Sequence, residues 1–540
     1  MEFLCRDPRI EPKAEARTAM SIVLQNYEVR GTRRGDVAKY DSETEWHAAE
    51  EIVLYYAQLS CATAIYNLYL HPLRKFKGPK LWIAFPILKT IAQLRGQLDF
   101  RTRQFHQKYG PVVRVTPNEL TFTTAEAWKD IYGHGHAEYP KVFPEGFRKG
   151  RAAEIISSNA HDHFRFRRAM LPAFSDRALA LQESIIREYV DLLIEKLGEV
   201  AAKNGPSTNM VKWYTYTTFD LIGDLAFGES FDGLKSGKEN AWVSNIEKMM
   251  KLFPILILAT SSRILSKLLL YLAGDKIKNS QANHLSMVHG LATKRMNNKN
   301  QEHRGDFMDF IMRSQGQEHG LSDAELTSNS DTLIVAGSET TATLLCGVTY
   351  YLLRTPSAWD KCVAEVRNAF ARAEDISFQS ATAQLPYMLA CLDEALRLFP
   401  PVPSVLFRRT PKDQAVVVDG MVIPPNTAVG VHHMAAYHSR DNFHDPMTFH
   451  PERWLPQARE DEKSPFYNDK REAHKPFSLG PRNCIGRNLA YHEMRIILAN
   501  VLWHYDMKLD SSCEGWAENQ RTFALWEKPP LLVHIAARSK

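Results

Sequence analysis

The sequence predicts a mainly α-helical protein with small β-sheets, and three stretches carry that prediction. Ser322-Asp-Ala-Glu325 reads as a capping box, after which helical pattern runs without proline to Arg354, just before Pro356. Those roughly 32 residues amount to ~48 Å of helix, long enough to cross a large domain. Pro386 opens a second helical pattern (Met388, Leu389, Leu392, Leu396), which Pro400 and Pro401 stop. The third stretch, Ile485 to Trp503, repeats apolar residues at helical spacing (Ile485, Leu489, Ile496, Ile497, Val501).

Taken in chain order, residues 1–51 are polar and mixed in charge, with no secretory pattern, and are expected to form a disordered leader. Ile52 to Leu70 then gives nineteen residues without a charge, although Gln58, Ser60, Thr63 and Asn67 weaken it as a span. Residues 52–73 are expected to be an N-terminal membrane anchor. Acidic residues precede it (Glu43, Glu45, Glu50, Glu51) and basic ones follow (Arg74, Lys75, Lys77, Lys80), which puts residue 74 onward on the cytoplasmic side. Residues 74–540 read as one catalytic unit, because no repeat, low-complexity tract or block of like charge marks a linker. Within it, Leu252 to Gly274 is apolar but interrupted by Ser261, Ser262, Arg263 and Lys267, so it suits a surface contact with lipid rather than a span. A net charge of +5, with no basic stripe among exposed aromatics, excludes nucleic acid as a partner. The seven cysteines form no CxxC pair and are odd in number, which indicates a reducing compartment and supports neither a disulfide framework nor zinc. Cys346, Cys362 and Cys391 are expected to be buried thiols, and His432-His433 to pack near a sheet.

The chemistry concentrates in Phe477-Ser-Leu-Gly-Pro-Arg-Asn-Cys-Ile-Gly486. A thiolate that ligates a haem iron must project from a tight, shielded loop. Gly480 and Gly486 allow the turn and a close backbone approach to the porphyrin, Arg482 can pair with a propionate, and Phe477 can cover the sulfur. Cys484 precedes a helical run, so the helix dipole is expected to lower its thiol pKa. Upstream, Glu394 and Arg397 share a helix face and can present one surface to Arg453. The same Glu-x-x-Arg spacing recurs at Glu145/Arg148 and Glu518/Arg521, but only the middle copy has the helical context. Ala336-Gly337-Ser338-Glu339-Thr340-Thr341 places a glycine and hydroxyls inside a helix, which is locally unfavourable.

In this order and context the motifs resemble the cytochromes P-450. That resemblance implies a triangular helical domain with haem b between a long distal helix and the proximal cysteine-bearing helix. It implies Cys484 as the axial ligand of the haem iron, and Glu394, Arg397 and Arg453 as a structural triad. It implies a distal groove at Ala336-Gly337, where the helix opens to admit dioxygen while Glu339 and Thr340 relay protons. His163-Phe-Arg-Phe-Arg167-Arg168 is similar to the propionate-binding helix, with His163 where tryptophan is commonest; Arg408 is a second propionate candidate. The implied activity is insertion of one oxygen atom from O₂ into an apolar small molecule, a terpenoid, polyketide or alkaloid of fungal secondary metabolism. Tyr139 to Phe147, Phe253 to Leu258, Thr332 to Thr341, Val402 to Phe407 and Asn519 to Phe523 are expected as largely apolar pocket walls. Electrons are expected from NADPH through a separate cytochrome P-450 reductase, with cytochrome b5 as a further partner. Lys470, Arg471, Lys475 and Arg487 are expected to form its basic docking face. Endoplasmic reticulum membrane is the expected location. Two other readings fit the same haem-thiolate motifs: an isomerase or dehydratase acting without O₂, and a non-catalytic haem sensor.

Overall fold

The computed structural model describes residues 42–143, 152–203, 207–240, 242–245, 284–298 and 304–538, with positions 248, 251 and 255. The expected lipid contact at 252–274 lies outside them apart from position 255, as do pocket-wall residues 144–147. The chain divides into two compact units, Met1–Thr63 and Ala64–Lys540.

Helix α1, Ser42–Ile65, runs on as one π-turn, Tyr66–Leu70. Residues 42–51 of the expected leader are helical; its other residues lie outside the described residues. In the first unit Val53, Leu54, Tyr55 and Tyr56 are exposed. Among the described residues, the helix long and apolar enough to cross a membrane is Asp323–Arg354, and most of that helix is buried.

In the larger unit, helix α2 (Leu98–Tyr109), helix α3 (Ala125–Tyr132), helix α4 (Ala160–Met170), helix α5 (Asp176–Ala202), helix α6 (Met210–Phe227), helix α7 (Asp323–Arg354), helix α8 (Pro386–Leu398) and helix α9 (Arg487–His504) carry the fold. Helix α7 starts at the expected capping box: Ser322 Oγ accepts from the Glu325 amide, and the Glu325 carboxylate accepts from the Ser322 amide. It runs as continuous helix to Arg354, through Ala336-Gly337. The glycines along it serve packing. A Cβ on Gly337 would lie 2.7 Å from Ile222 Cδ1 of α6, and one on Gly347 would lie 2.9 Å from Phe399 Cδ1. Without side chains there, α6 closes on α7, and buried hydroxyls tie the pair: Tyr214 to Thr349 at 2.9 Å and Thr218 Oγ1 to the Ser338 carbonyl at 3.0 Å. Leu344, Leu345 and Val348 are fully buried in this seam, and each such side chain contributes about 1.5–3 kcal/mol.

Among the described residues, four small sheets accompany the helices. Strands β1 (Val112–Thr116), β2 (Glu119–Phe122), β4 (Arg408–Arg409) and β7 (Ala428–Val431) form one, in the order β1-β2-β7-β4. Only the β2–β7 pair is parallel. Strand β3 (Thr208–Asn209), β11 (Leu532–Ala537) and β8 (Tyr505–Leu509) form the second. Strands β5 (Val416–Val418) and β6 (Met421–Ile423) make a hairpin, as do β9 (Arg521–Phe523) and β10 (Leu525–Glu527), the latter turning at Ala524 with φ +80°. A second, smaller core around Trp128, Tyr132, Phe122 and Val431 lies between α3 and the first sheet. His432 and His433 pack there as expected: His432 Nε2 meets Asp99 of α2 at 3.1 Å, and His433 stacks on Tyr437. Cys346, Cys362 and Cys391 are buried and unpaired.

Candidate active site

The cysteine loop is shaped by its backbone. Ser478 and Gly480 both adopt positive φ, +61° and +77°, and the Cys484 amide donates to the Phe477 carbonyl at 2.9 Å, closing the loop. A Cβ on Gly480 would sit 1.7 Å from the Tyr132 carbonyl oxygen at the end of α3, so this glycine answers to the protein's own packing. Gly486 differs. It is the N-cap of α9 with φ −86°, and a Cβ there would meet only Phe174, at an ordinary 3.8 Å. Phe477 is half-buried, its ring 5.2 Å from that of Tyr491.

Cys484 is exposed to open space, yet surrounded closely enough that burial pushes its thiol pKa up. The Gly486 amide, Arg167 and Arg487 pull the other way and offset burial only in part. This corrects the expected lowering: a helix dipole acts only around the first turn, but desolvation sums over every neighbour.

Behind the loop, cations gather. Arg167 of α4 donates to the Asn483 carbonyl at 2.7 Å and to Asn483 Oδ1 at 2.5 Å, clasping the residue before the cysteine. Arg482 donates Nε to Glu138 at 2.6 Å and Nη1 to the Ser158 carbonyl at 2.9 Å. Arg408 is buried, and its Nη1 has no hydrogen-bond partner; Glu138 lies 4.0 Å from it. A β-bridge sets Lys141 beside Arg408. Burial, then Arg408 and Arg482, bring Lys141 down to about 7. His163 is held down to about 3 by burial, then by Arg482, Lys141, Arg167 and Arg408, so it is a neutral imidazole at physiological pH. Four cationic side chains thus face two nearby carboxylates, Glu138 and Glu154. The sequence reading missed Lys141, because its neighbours in the cluster come from segments far away in the chain.

On the distal side, Ala336 is exposed although α7 is a core helix, and Thr340, one turn on, shares that face. Thr340 Oγ1 donates to the Ala336 carbonyl at 2.6 Å. Glu339 does not pair with Thr340. It accepts from Lys528 Nζ at 2.6 Å, a contact with no signal in the sequence. Beside it is a cavity of about 230 Å³, lined in part by Lys251, Asn519, Arg521, Glu527 and Lys528. That stretch of the expected pocket wall is therefore mixed, because the β9–β10 hairpin sets Asn519, Arg521 and Glu527 beside Phe523, Leu525 and Trp526.

Glu394, Arg397 and Arg453 come together with no exposure. Arg397 donates to Glu394 at 2.9 and 2.7 Å, and Arg453 Nε donates to it at 3.0 Å. Trp454 Nε1 at 2.8 Å fills the remaining carboxylate position, and Asp469 pairs with Arg453. Among the expected docking residues, Arg471 is spent inward on the Arg453 and Phe466 carbonyls, whereas Lys470 and Arg487 are exposed.

One buried acid has no sequence-based explanation. Glu493 of α9 bonds to Thr341, its Oε1 lacks a partner, and burial pushes it up to about 8. An unfolded glutamate ionises near ~4.3, so the folded state binds the extra proton between those values, and stability falls as pH rises from about 4 to 8. Glu493→Gln removes that loss. Its gain in unfolding free energy over wild type, measured by chemical denaturation, is expected to grow between pH 5 and pH 8, reaching about 4 kcal/mol or less at pH 7. A constant difference across that range would contradict the buried neutral carboxyl.

The residues fit the haem they resemble. An exposed thiol, an excess of positive charge with an unpartnered guanidinium N–H, and a glycine the protein does not itself require suit a planar, iron-bearing dianion. The fold and site together define a haem-thiolate protein. The cytochrome P450 family model matches residues 77–534, and the chain belongs to that family, as a monooxygenase. It is 47% identical over 501 residues to the cytochrome P450 monooxygenase dtxS2 of Metarhizium robertsii, covering 92% of this chain and 96% of that one. It is also 47% identical to the trichothecene C-4 hydroxylase of Trichoderma arundinaceum over 474 residues, 88% of this chain and 94% of the relative. The cytochrome P450 monooxygenase olcB of Penicillium canescens is 44% identical over 478 residues, 88% and 96% of the two chains.

Proposed function

We propose that this monooxygenase hydroxylates an apolar intermediate of fungal secondary metabolism, a terpenoid, polyketide or alkaloid. Its electrons come from NADPH through a separate reductase, with cytochrome b5 as an auxiliary donor. The single observation that carries the reading is the exposed Cys484 thiol beside a cluster of buried and half-buried cations, Arg167, Arg408, Arg482 and Lys141. A relative named for C-4 hydroxylation of a trichothecene supports hydroxylation as the reaction type.

In this reading Cys484 would ligate the iron, Arg167, Arg408, Arg482 and Lys141 would hold the propionates, and His163 would pack against them as a neutral ring. Gly486 and Ala336 leave the faces of the slot clear. When bound, haem supplies oxygen activation, which a thiolate ligand promotes. The chain's own part is to orient substrate, exclude water and deliver protons. Thr340 Oγ1, now donating to the Ala336 carbonyl, is free to turn as a relay, and Glu339 is the acid behind it. Residues 52–73 anchor the protein in the endoplasmic reticulum membrane with the catalytic unit cytoplasmic, and Lys470 and Arg487 meet an acidic reductase.

The test is the difference spectrum of dithionite-reduced protein with and without carbon monoxide, wild type beside Cys484→Ser. A strongly red-shifted Soret band in the wild type, lost in the variant, is expected. The histidine-ligated position in both would remove Cys484 from the mechanism. Labelled O₂ then separates the readings: label in the product marks a monooxygenase, and turnover without O₂ marks an isomerase.

A further inference from the structure

The cavity beside Glu339 has no role in the reading above. Lys528 directly follows β10 and crosses to α7, where its ammonium donates to Glu339 Oε2 at 2.6 Å and to Thr343 Oγ1 at 3.0 Å. These acceptors are one helical turn apart on one face, so a single lysine clamps two turns of the distal helix. The ion pair is nearly buried, 6% and 10% exposed. Nearer solvent, Lys251 pairs with Glu527 at 2.6 Å, 50% and 32% exposed. All four charged residues line the same cavity of about 230 Å³. The hairpin that aims Lys528 is itself fastened, the Thr522 amide donating to the Gly96 carbonyl at 3.0 Å. Thr340, meanwhile, is bonded to Ala336 and not to Glu339.

We propose that Lys528 is a positioning residue for the distal acid: it anchors Glu339 at the inner end of this cavity, and protons reach Glu339 from solvent through the cavity, past Lys251 and Glu527. This rests on the reading of Glu339 as the proton-delivering acid. A charged side chain so far from water needs a fixed partner, and an acid that must reload between turnovers needs a wet path. The cavity supplies the path, and Lys528 supplies the partner without occupying the Thr340 side.

The experiment uses the haem-loaded enzyme with a separate NADPH reductase and no organic substrate. It measures the share of consumed O₂ that leaves as hydrogen peroxide instead of water, in light and heavy water. Lys528→Met is expected to raise that share severalfold and to enlarge the solvent isotope effect, with Lys528→Arg restoring both. Glu527→Gln, at the exposed mouth where folding is not at stake, is expected to move both in the same direction by a smaller factor. Reductive methylation read by mass spectrometry gives a measure apart from turnover: Lys528 is slow in wild type and fast in Glu339→Gln, while Lys251 is fast in both. A peroxide share that changes in Glu339→Gln but not in Lys528→Met or Glu527→Gln overturns the proposal and leaves the acid's role standing. No change in Glu339→Gln overturns both.

Discussion

Glu394→Gln is expected to cost the fold about 3–5 kcal/mol and to leave little haem-loaded protein, because it strips the counter-charge from two buried guanidinium groups. Arg397 and Arg453 have no exposure, and each donates to this one carboxylate. The amide keeps the shape and one acceptor but presents N–H where Arg453, Arg397 or Trp454 presents its own donor. Burial alone would push Glu394 up, yet Arg397 and then Arg453 more than reverse it and hold the carboxyl at about 2. The sign follows: a depressed acid adds stability that is complete above its unfolded pKa and is lost as pH falls from about 4 through 2. Wild type should therefore lose this contribution in acid, and Glu394→Gln should show a flatter profile there. Chemical denaturation at pH 7 and pH 3 checks both points. A variant within about 1 kcal/mol of wild type at pH 7, roughly a fivefold change in the folding equilibrium, would mean the arginines are satisfied by the Tyr437, Pro446 and Thr448 carbonyls and by Asp469.

This triad was legible because its core is local. An i, i+3 pair on a proline-bounded helix meets whatever the rest of the chain does, and only Arg453 had to be brought from elsewhere. Trp454 and Asp469 complete the same carboxylate–guanidinium network but carry no spacing rule that would single them out. The long helix α7 was equally plain from its capping box and lack of proline. Its interior was harder: Gly337 looked like a place for the helix to part, and in the fold it faces Ile222 of α6, a contact between segments more than a hundred residues apart. The thiol pKa went wrong for a related reason. Dipole and charge arguments use near neighbours in sequence, whereas desolvation depends on packing that the sequence does not display. Lys141 and Lys528 were missed because a lysine in a loop or after a hairpin reads as surface until the sheet register turns it inward.

The two glycines of the cysteine loop separate packing from cofactor binding, and they should fail differently. Gly480→Ala places a methyl 1.7 Å from the Tyr132 carbonyl at a φ of +77°. Neither neighbour can yield cheaply. Tyr132 is pinned by its hydroxyl, which donates to the Leu406 carbonyl at 2.8 Å and accepts from the Val431 amide at 3.2 Å. Trp128, one turn earlier, donates to the Ala473 carbonyl at 3.0 Å. The left-handed conformation adds about 1–2 kcal/mol for a residue with a Cβ, and backbone displacement brings the total to roughly 3 kcal/mol or more. That loss belongs to the polypeptide, so it is expected with and without haem. Gly486→Ala has no such conflict: its φ is −86°, and its Cβ would meet only Phe174, at 3.8 Å. Replacing an N-cap glycine by alanine costs at most about 1 kcal/mol, so the apoprotein should unfold nearly as wild type does. What alanine there narrows is the slot in front of Cys484, and haem retention should fall steeply. Paired denaturation of apo and haem-loaded protein reads the difference. Equal losses in the apoprotein for both variants would mean that Gly486, like Gly480, serves the chain's own packing, and the case for a close-lying porphyrin would lose one of its three supports.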